Sequence, residues 1–267
     1  MNAAERLGLV QSKTNRAREH VATLEQAIRE FFDSKPYQVS TKRDSQTRRL
    51  IYFVSSVQQA PSSFATITGD ALQNLRSALD HLAYQLFLVE SKGSGNGRHV
   101  QFPIGLDAKD YAKQRNRRTV GMRKDAIAML DSIEPYKGGK GHKFWVLQEL
   151  NNADKHRFLI AIGSNFQSVN IGALMTSELK EAGKARGMDI PIIDLYLKPK
   201  DTLFPVQVSD VLFTDMPDAQ ENSKIDFRFN IGLSVPNILE GVVLLDTLKD
   251  FCDLVSNTVL GFKSCLT

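Results

Sequence analysis

One segment of the chain concentrates side chains that can move protons or hold an anion. It reads GDALQNLRSALDHLAYQL, from Gly69 to Leu86. On a helical wheel at about 100° per residue, several polar side chains fall within roughly 60° of one another, namely Asp70, Asn74, Ser77, His81 and Tyr84. Arg76 and Asp80 flank that stripe. Because an imidazole can act as acid or base and a guanidinium can stabilise a phosphate, the segment is a candidate site.

The spacing of hydrophobic residues along the sequence predicts the helices and strands that position these side chains. Leucines three and four residues apart make the segment a helix packed on a core, and the same period predicts helical segments over about 3–32, 64–89, 123–155 and 237–262. The segment 123–155 divides into two helices, Arg123 to Ile133 and Lys143 to Lys155, with the second beginning after the glycine-rich run 138–141. Short β-branched and aromatic runs predict strands over about 37–57, as a hairpin, and over 158–233. We expect a single α+β domain over 1–267, with a helical core and a mainly antiparallel β region.

Composition narrows the class of protein. The 267 residues are 42% hydrophobic and 24% charged, as in an ordinary soluble globular protein, and their net charge of +4 permits an acidic partner without requiring one. Cys252 and Cys265 supply neither a disulfide framework nor a zinc site, and the N-terminus lacks the apolar run of a signal peptide. These features predict a cytoplasmic protein that has no cofactor and no membrane segment.

The spacing Arg76-Ser77-x3-His81 resembles the R-polar-x3-H motif of HEPN-type proteins, many of which are metal-independent endoribonucleases. The resemblance covers about one helix. It implies that His81 moves a proton while Arg76 stabilises the phosphate charge, that Ser77 or Asp80 orients the pair, and that the pair meets its counterpart across a homodimer. In a regular helix, five residues correspond to roughly 140° of rotation, so Arg76 and His81 start near opposite edges of the polar face.

A second resemblance joins two distant segments. The runs NLRSALDHLA, from Asn74 to Ala83, and LNNADKHR, from Leu150 to Arg157, are similar to motifs of a group of uncharacterised bacterial proteins with no settled activity. In the second run, Asp154 and His156 can support the first pair, since a carboxylate orients an imidazole. The cations around it also suit the negative end of a helix, which needs no ligand.

Basic residues provide candidate contacts to an RNA backbone, namely Arg115, Arg117, Arg118, Lys155 and Arg157. Tyr111, Tyr136 and Trp145 lie near them in sequence, and aromatic rings can stack on unpaired bases. The sequence thus predicts an RNA ligand and an endoribonuclease.

Other interpretations stay open. The main alternative is a regulatory module without catalysis that holds nucleic acid or a protein partner on the same surface. The polar stripe can equally be a solvated helix face or a buried polar network. A metal-dependent hydrolase built on His81, His142 and His156 is disfavoured, because no two of these histidines have close ligand spacing.

Overall fold

A computed structural model describes residues 1–92, 96–157, 161–172, 175–176, 179, 194–199, 203–222 and 225–267, and the side chains of 155–157 and 161 lie outside this description. The helices are α1 (Ala3–Asp33), α2 (Ser63–Glu90), α3 (Ala108–Arg118), α4 (Lys124–Ile133), α5 (His142–Arg157) and α6 (Leu244–Gly261). The strands are β1 (Tyr37–Arg43), β2 (Arg49–Val57), β3 (Ala161–Asn170), β4 (Tyr196–Leu197), β5 (Val211–Pro217), β6 (Asp226–Val235) and β7 (Leu239–Val243). The predicted α+β class is confirmed.

Helix α2 is the centre of the helical core, with α1, α5 and α6 packed against it. Its leucine stripe is fully buried, and α1 contributes apolar side chains at the same spacing. A capping box between Asn2 and Glu5 fixes the start of α1 by pairing backbone N–H groups with side-chain oxygens. The helices predicted at 3–32 and 64–89 therefore form within one residue of the expected bounds.

The strands form two antiparallel sheets, ordered β1-β2-β5 and β4-β3-β6-β7. The predicted β1–β2 hairpin is present, and Asp44 holds its turn by accepting from the backbone N–H groups of Gln46 and Thr47. A second apolar cluster joins the sheets and includes Leu50, Tyr52, Val54, Phe166, Val169 and Val206. The chain thus has a helical core and a smaller sheet core.

Within the predicted helical span 123–155, the two expected helices form as α4 and α5, and residues 134–141 are the turn between them. The structure corrects two other predicted segments. The last helix does not start at 237. Instead, Pro236 and Asn237 (φ +63°) form a β-turn, closed by Ile238 N–H donating to Val235 C=O, and the chain returns as β7. Within the predicted β segment 158–233, described residues at 172, 175, 176 and 179 are helical.

No helix in the described part of the chain combines the length and the apolar character that crossing a membrane requires.

Candidate functional site

Arg76 lies on α2 with only 11% of its side chain exposed. Its Nη1 is 2.8 Å from Asp80 Oδ1, one helical turn further along, and its Nη2 donates to Phe102 C=O over 3.2 Å. Asp80 Oδ1 in turn accepts from Phe102 N–H at 3.0 Å. The ion pair therefore satisfies both backbone groups of Phe102 and fixes the segment before α3 against α2.

Helix α5 approaches α2 closely at Gly69. A Cβ placed on Gly69 would lie 2.5 Å from both carboxylate oxygens of Asp154. A larger residue at 69 would force the Asp154 side chain to move, so glycine permits this contact, which brings the two segments of the bacterial resemblance side by side. Gly69, Arg76 and Asp80 recur at seven and four residues, so they share one face of α2.

A polar cleft of about 270 Å³ opens beside this contact. It is lined by Arg76 and Asp80 of α2, Arg118 of α3, Gln148, Asn151 and Asn152 of α5, and Gln101. The lining has two guanidinium groups and one carboxylate, with carboxamides around them. Such a set carries a net positive charge and offers several hydrogen-bond donors, which suits an anion.

Burial lowers the pKa of both arginines of the cleft, and neighbouring positive charge contributes at Arg118 alone. Burial lowers the pKa of Arg76, although Asp80 partly restores it. Burial also lowers the pKa of Arg118, and the charges of Arg117 and Arg76 lower it further. Both guanidinium groups remain protonated at neutral pH, because their ordinary pKa lies far above it. A bound anion would reduce this repulsion.

One buried polar atom of the cleft lacks a hydrogen-bond partner among the described residues. Asn151 is 3% exposed, and its Oδ1 has no donor. Because buried polar atoms in proteins are almost always paired, this oxygen is a point where a water molecule or a donor group of a ligand fits.

His81 and Ser77 lie outside the cleft lining. His81 is exposed on α2, and Ser77 is half-buried and accepts a hydrogen bond from Gln73 Nε2 at 3.3 Å through its Oγ. Within one chain, the cleft therefore brings Arg76 and Asp80 together with Asn151, and it does not include His81.

The three predicted arginines of α3 have different surroundings. Arg118 lines the cleft, with its Nε donating to Gln114 Oε1 over 2.9 Å. Arg115 pairs with Asp131 at 3.2 Å and so ties α3 to α4. Arg117 is exposed. Arg118 thus reaches the cleft, and Arg117, the residue before it, is on the exposed surface.

The second motif is described only in part. Asp154 is half-buried against Gly69, outside the cleft lining. Lys155, His156 and Arg157 belong to the last turn of α5, and their side chains lie outside the described residues.

The aromatic side chains predicted to stack on bases are mostly enclosed. Tyr111 and Trp145 are each 6% exposed. Trp145 stacks on His142 and has Lys137 Nζ above its ring at 4.7 Å. Tyr136 is half-buried beside Tyr111. Tyr111 and Trp145 are too enclosed to stack on a base in this arrangement, because little of either ring reaches the surface.

Sequence reasoning missed the carboxamides of the cleft, which are Gln101, Gln148, Asn151 and Asn152. The available signal was an adjacent asparagine pair in the middle of a predicted helix, where asparagine is a poor helix former. The glycine at position 69 was a second signal, since a glycine inside a helix often permits close packing.

Comparison with models of protein families, with curated proteins and with solved structures finds no match to this chain. Among the described residues, no group of three or more His, Cys, Asp or Glu side chains is arranged to hold a metal ion.

Proposed function

We propose that the protein binds RNA and holds a backbone phosphate in the cleft between Arg76 and Arg118. The observation that carries the proposal is the pair of guanidinium groups in the cleft lining, Arg76 buried and Arg118 half-buried, with a single carboxylate to offset their charge. Arginine binds phosphate oxygens through such edges, and the contact is strengthened where water is partly excluded.

The surface of α3 supports a ligand longer than the cleft. Lys109, Lys113 and Arg117 are all exposed and recur every four residues, so they form one basic stripe with a step of about 6 Å. The helix ends at Arg118, which lines the cleft. A polyanion seated at Arg118 can continue along this stripe, and that favours a nucleic-acid chain over an isolated phosphate.

The test is RNA binding by fluorescence anisotropy at several salt concentrations. Arg118→Gln should weaken binding about tenfold, and it should reduce the slope of log Kd against log salt by about 0.7, the value for one lost contact to a single strand. The control is Arg16→Gln, which removes the same charge from an exposed arginine of α1. Equal losses in both variants would mean that only net charge matters, and the cleft assignment would be wrong.

Endoribonuclease activity of the HEPN type is the second candidate. The supporting observation is the exposure of His81 on the helix that carries Arg76, which leaves the imidazole accessible to a substrate or to a second chain. Since His81 does not line the cleft of its own chain, this mechanism needs a homodimer in which Arg76 of one chain meets His81 of the other. RNA cleavage in EDTA tests it, comparing the wild type with His81→Ala and with His99→Ala, another exposed histidine. Cleavage that survives His81→Ala would exclude the mechanism.

A further inference from the structure

Asn151 is unusual in two respects, its place inside a helix and its buried side-chain oxygen without a partner. It lies inside α5, where asparagine is unfavourable, and it is buried with its Oδ1 unpaired among the described residues. No compensating contact within the described protein explains this. Sites where local rules are broken without a packing gain are often sites of function.

The cleft presents an unpaired acceptor beside cationic donors. Asn151 Oδ1 has no donor among the described residues, and the guanidinium groups of Arg76 and Arg118 line the same space with a single carboxylate. A ligand that satisfies both must bring an oxygen acceptor and a hydrogen-bond donor into the same small space. At about 270 Å³, the cleft is below the range of ~300–1,000 Å³ of pockets that enclose a whole ligand. It therefore suits one part of a longer chain.

A ribonucleotide supplies both groups next to each other. Its phosphodiester has only acceptors, while the neighbouring ribose 2′-hydroxyl is a donor that DNA lacks. We infer that Asn151 selects RNA over DNA by accepting a hydrogen bond from the 2′-hydroxyl, while Arg76 and Arg118 hold the adjacent phosphate. This inference rests on the proposed RNA binding and adds the residue that determines specificity.

The experiment compares three short oligomers that share the base uracil and differ only in the sugar: ribose, 2′-deoxyribose and 2′-O-methylribose. The wild type should bind the ribose oligomer about tenfold more tightly than the deoxy oligomer, because a buried acceptor loses its only donor in the latter. Asn151→Leu should bind ribose and deoxyribose oligomers equally, at the affinity that the wild type has for the deoxy oligomer.

A matched control is Asn152→Leu, the same change at the exposed neighbour in the cleft. It should change the affinity for both oligomers by the same factor and so keep the preference for RNA. If Asn151→Leu also weakened both affinities equally, Asn151 would not contact the sugar and the inference would fail.

The remaining outcomes separate the two proposals. Tight and equal binding of ribose and deoxyribose oligomers by the wild type would overturn the role of Asn151 and leave RNA binding intact. Binding of neither oligomer would overturn the proposed function itself.

If circular dichroism shows that Asn151→Leu does not fold, the affinity of the wild type for the 2′-O-methyl oligomer tests the inference instead. This oligomer keeps the oxygen and removes the donor, so wild-type affinity as low as for deoxyribose supports the inference, and affinity as high as for ribose contradicts it.

Discussion

Arg76 has a structural role, and the proposed phosphate contact would give the same side chain a second one. Its Nη2 and its partner Asp80 hold the backbone of Phe102, while its Nη1 pairs with Asp80 at the wall of the cleft. A guanidinium fixed in this way loses little conformational freedom when it binds an anion. The spacing of Arg76 and Asp80 predicted their ion pair, but Phe102 is 26 residues away and its role could not be read from local spacing.

Gly69 gives a residue-scale prediction about how the cleft is assembled. Gly69→Ala places a methyl group against the Asp154 carboxylate, which must move to make room, so we expect the free energy of unfolding to fall by about 1 kcal/mol through overpacking. Gly8→Ala is the matched control on α1, where the added methyl meets nothing within 4 Å. It should raise the free energy of unfolding by roughly 0.5–1 kcal/mol through helix propensity. Urea unfolding followed by circular dichroism measures both.

The same substitution in an Asp154→Ala variant tests whether the contact with the Asp154 carboxylate causes the loss of stability. In Asp154→Ala, the carboxylate is gone and the added methyl at Gly69 has room, so the cost of Gly69→Ala should largely disappear. A cost that is unchanged in this background would show that Asp154 is not what limits space at Gly69.

At the scale of elements, the long amphipathic helices were predictable from the sequence, but the turn and short strand around Pro236 were not. The leucines of α2 fix its length because their spacing persists over several turns. At Pro236 the sequence permits either the first turn of a helix or a β-turn, and only pairing with β6 decides for β7. The cleft was also beyond prediction, because its residues come from α2, α3, α5 and Gln101 and meet only through packing.

Helix α6 carries a prediction about alkaline pH. Cys252 is 1% exposed on its buried face, and burial raises the pKa of this thiol from 9.0 to about 11. The folded state therefore holds the proton more tightly than the unfolded state. Its contribution to stability is complete below pH 9 and is lost as pH rises toward 11. The free energy of unfolding should fall over this interval.

The variant Cys252→Ala isolates the thiol. It should be less stable than the wild type at neutral pH, but its stability should decline less steeply between pH 9 and about 11. Val255→Ala, at a fully buried position of the same helix, should retain the wild-type slope. Identical slopes in all three proteins would show that Cys252 does not titrate differently on unfolding.

At the scale of the whole molecule, β6 links the two cores. Ile231, Leu233 and Val235 belong to the helical core, while Phe227 and Phe229 pack against the sheet core. Tyr37 adds a second link, since it packs on the helical core and stacks on Phe229 with ring centroids 4.4 Å apart. One strand thus contributes to both clusters, and the single domain over residues 1–267 stays a prediction that unfolding experiments can test.

A pair of equal substitutions provides that test. Val54 lies in the sheet core and Val255 in the helical core, and both are fully buried, so Val54→Ala and Val255→Ala should each cost roughly 2 kcal/mol. Trp145, the single tryptophan, reports on the helical core alone. In a single cooperative domain, both variants lower the urea midpoint seen by Trp145 fluorescence, by similar amounts and in step with far-UV circular dichroism. If Val54→Ala left the Trp145 midpoint unchanged while the circular dichroism transition broadened, the sheet core would unfold on its own and the chain would contain two domains.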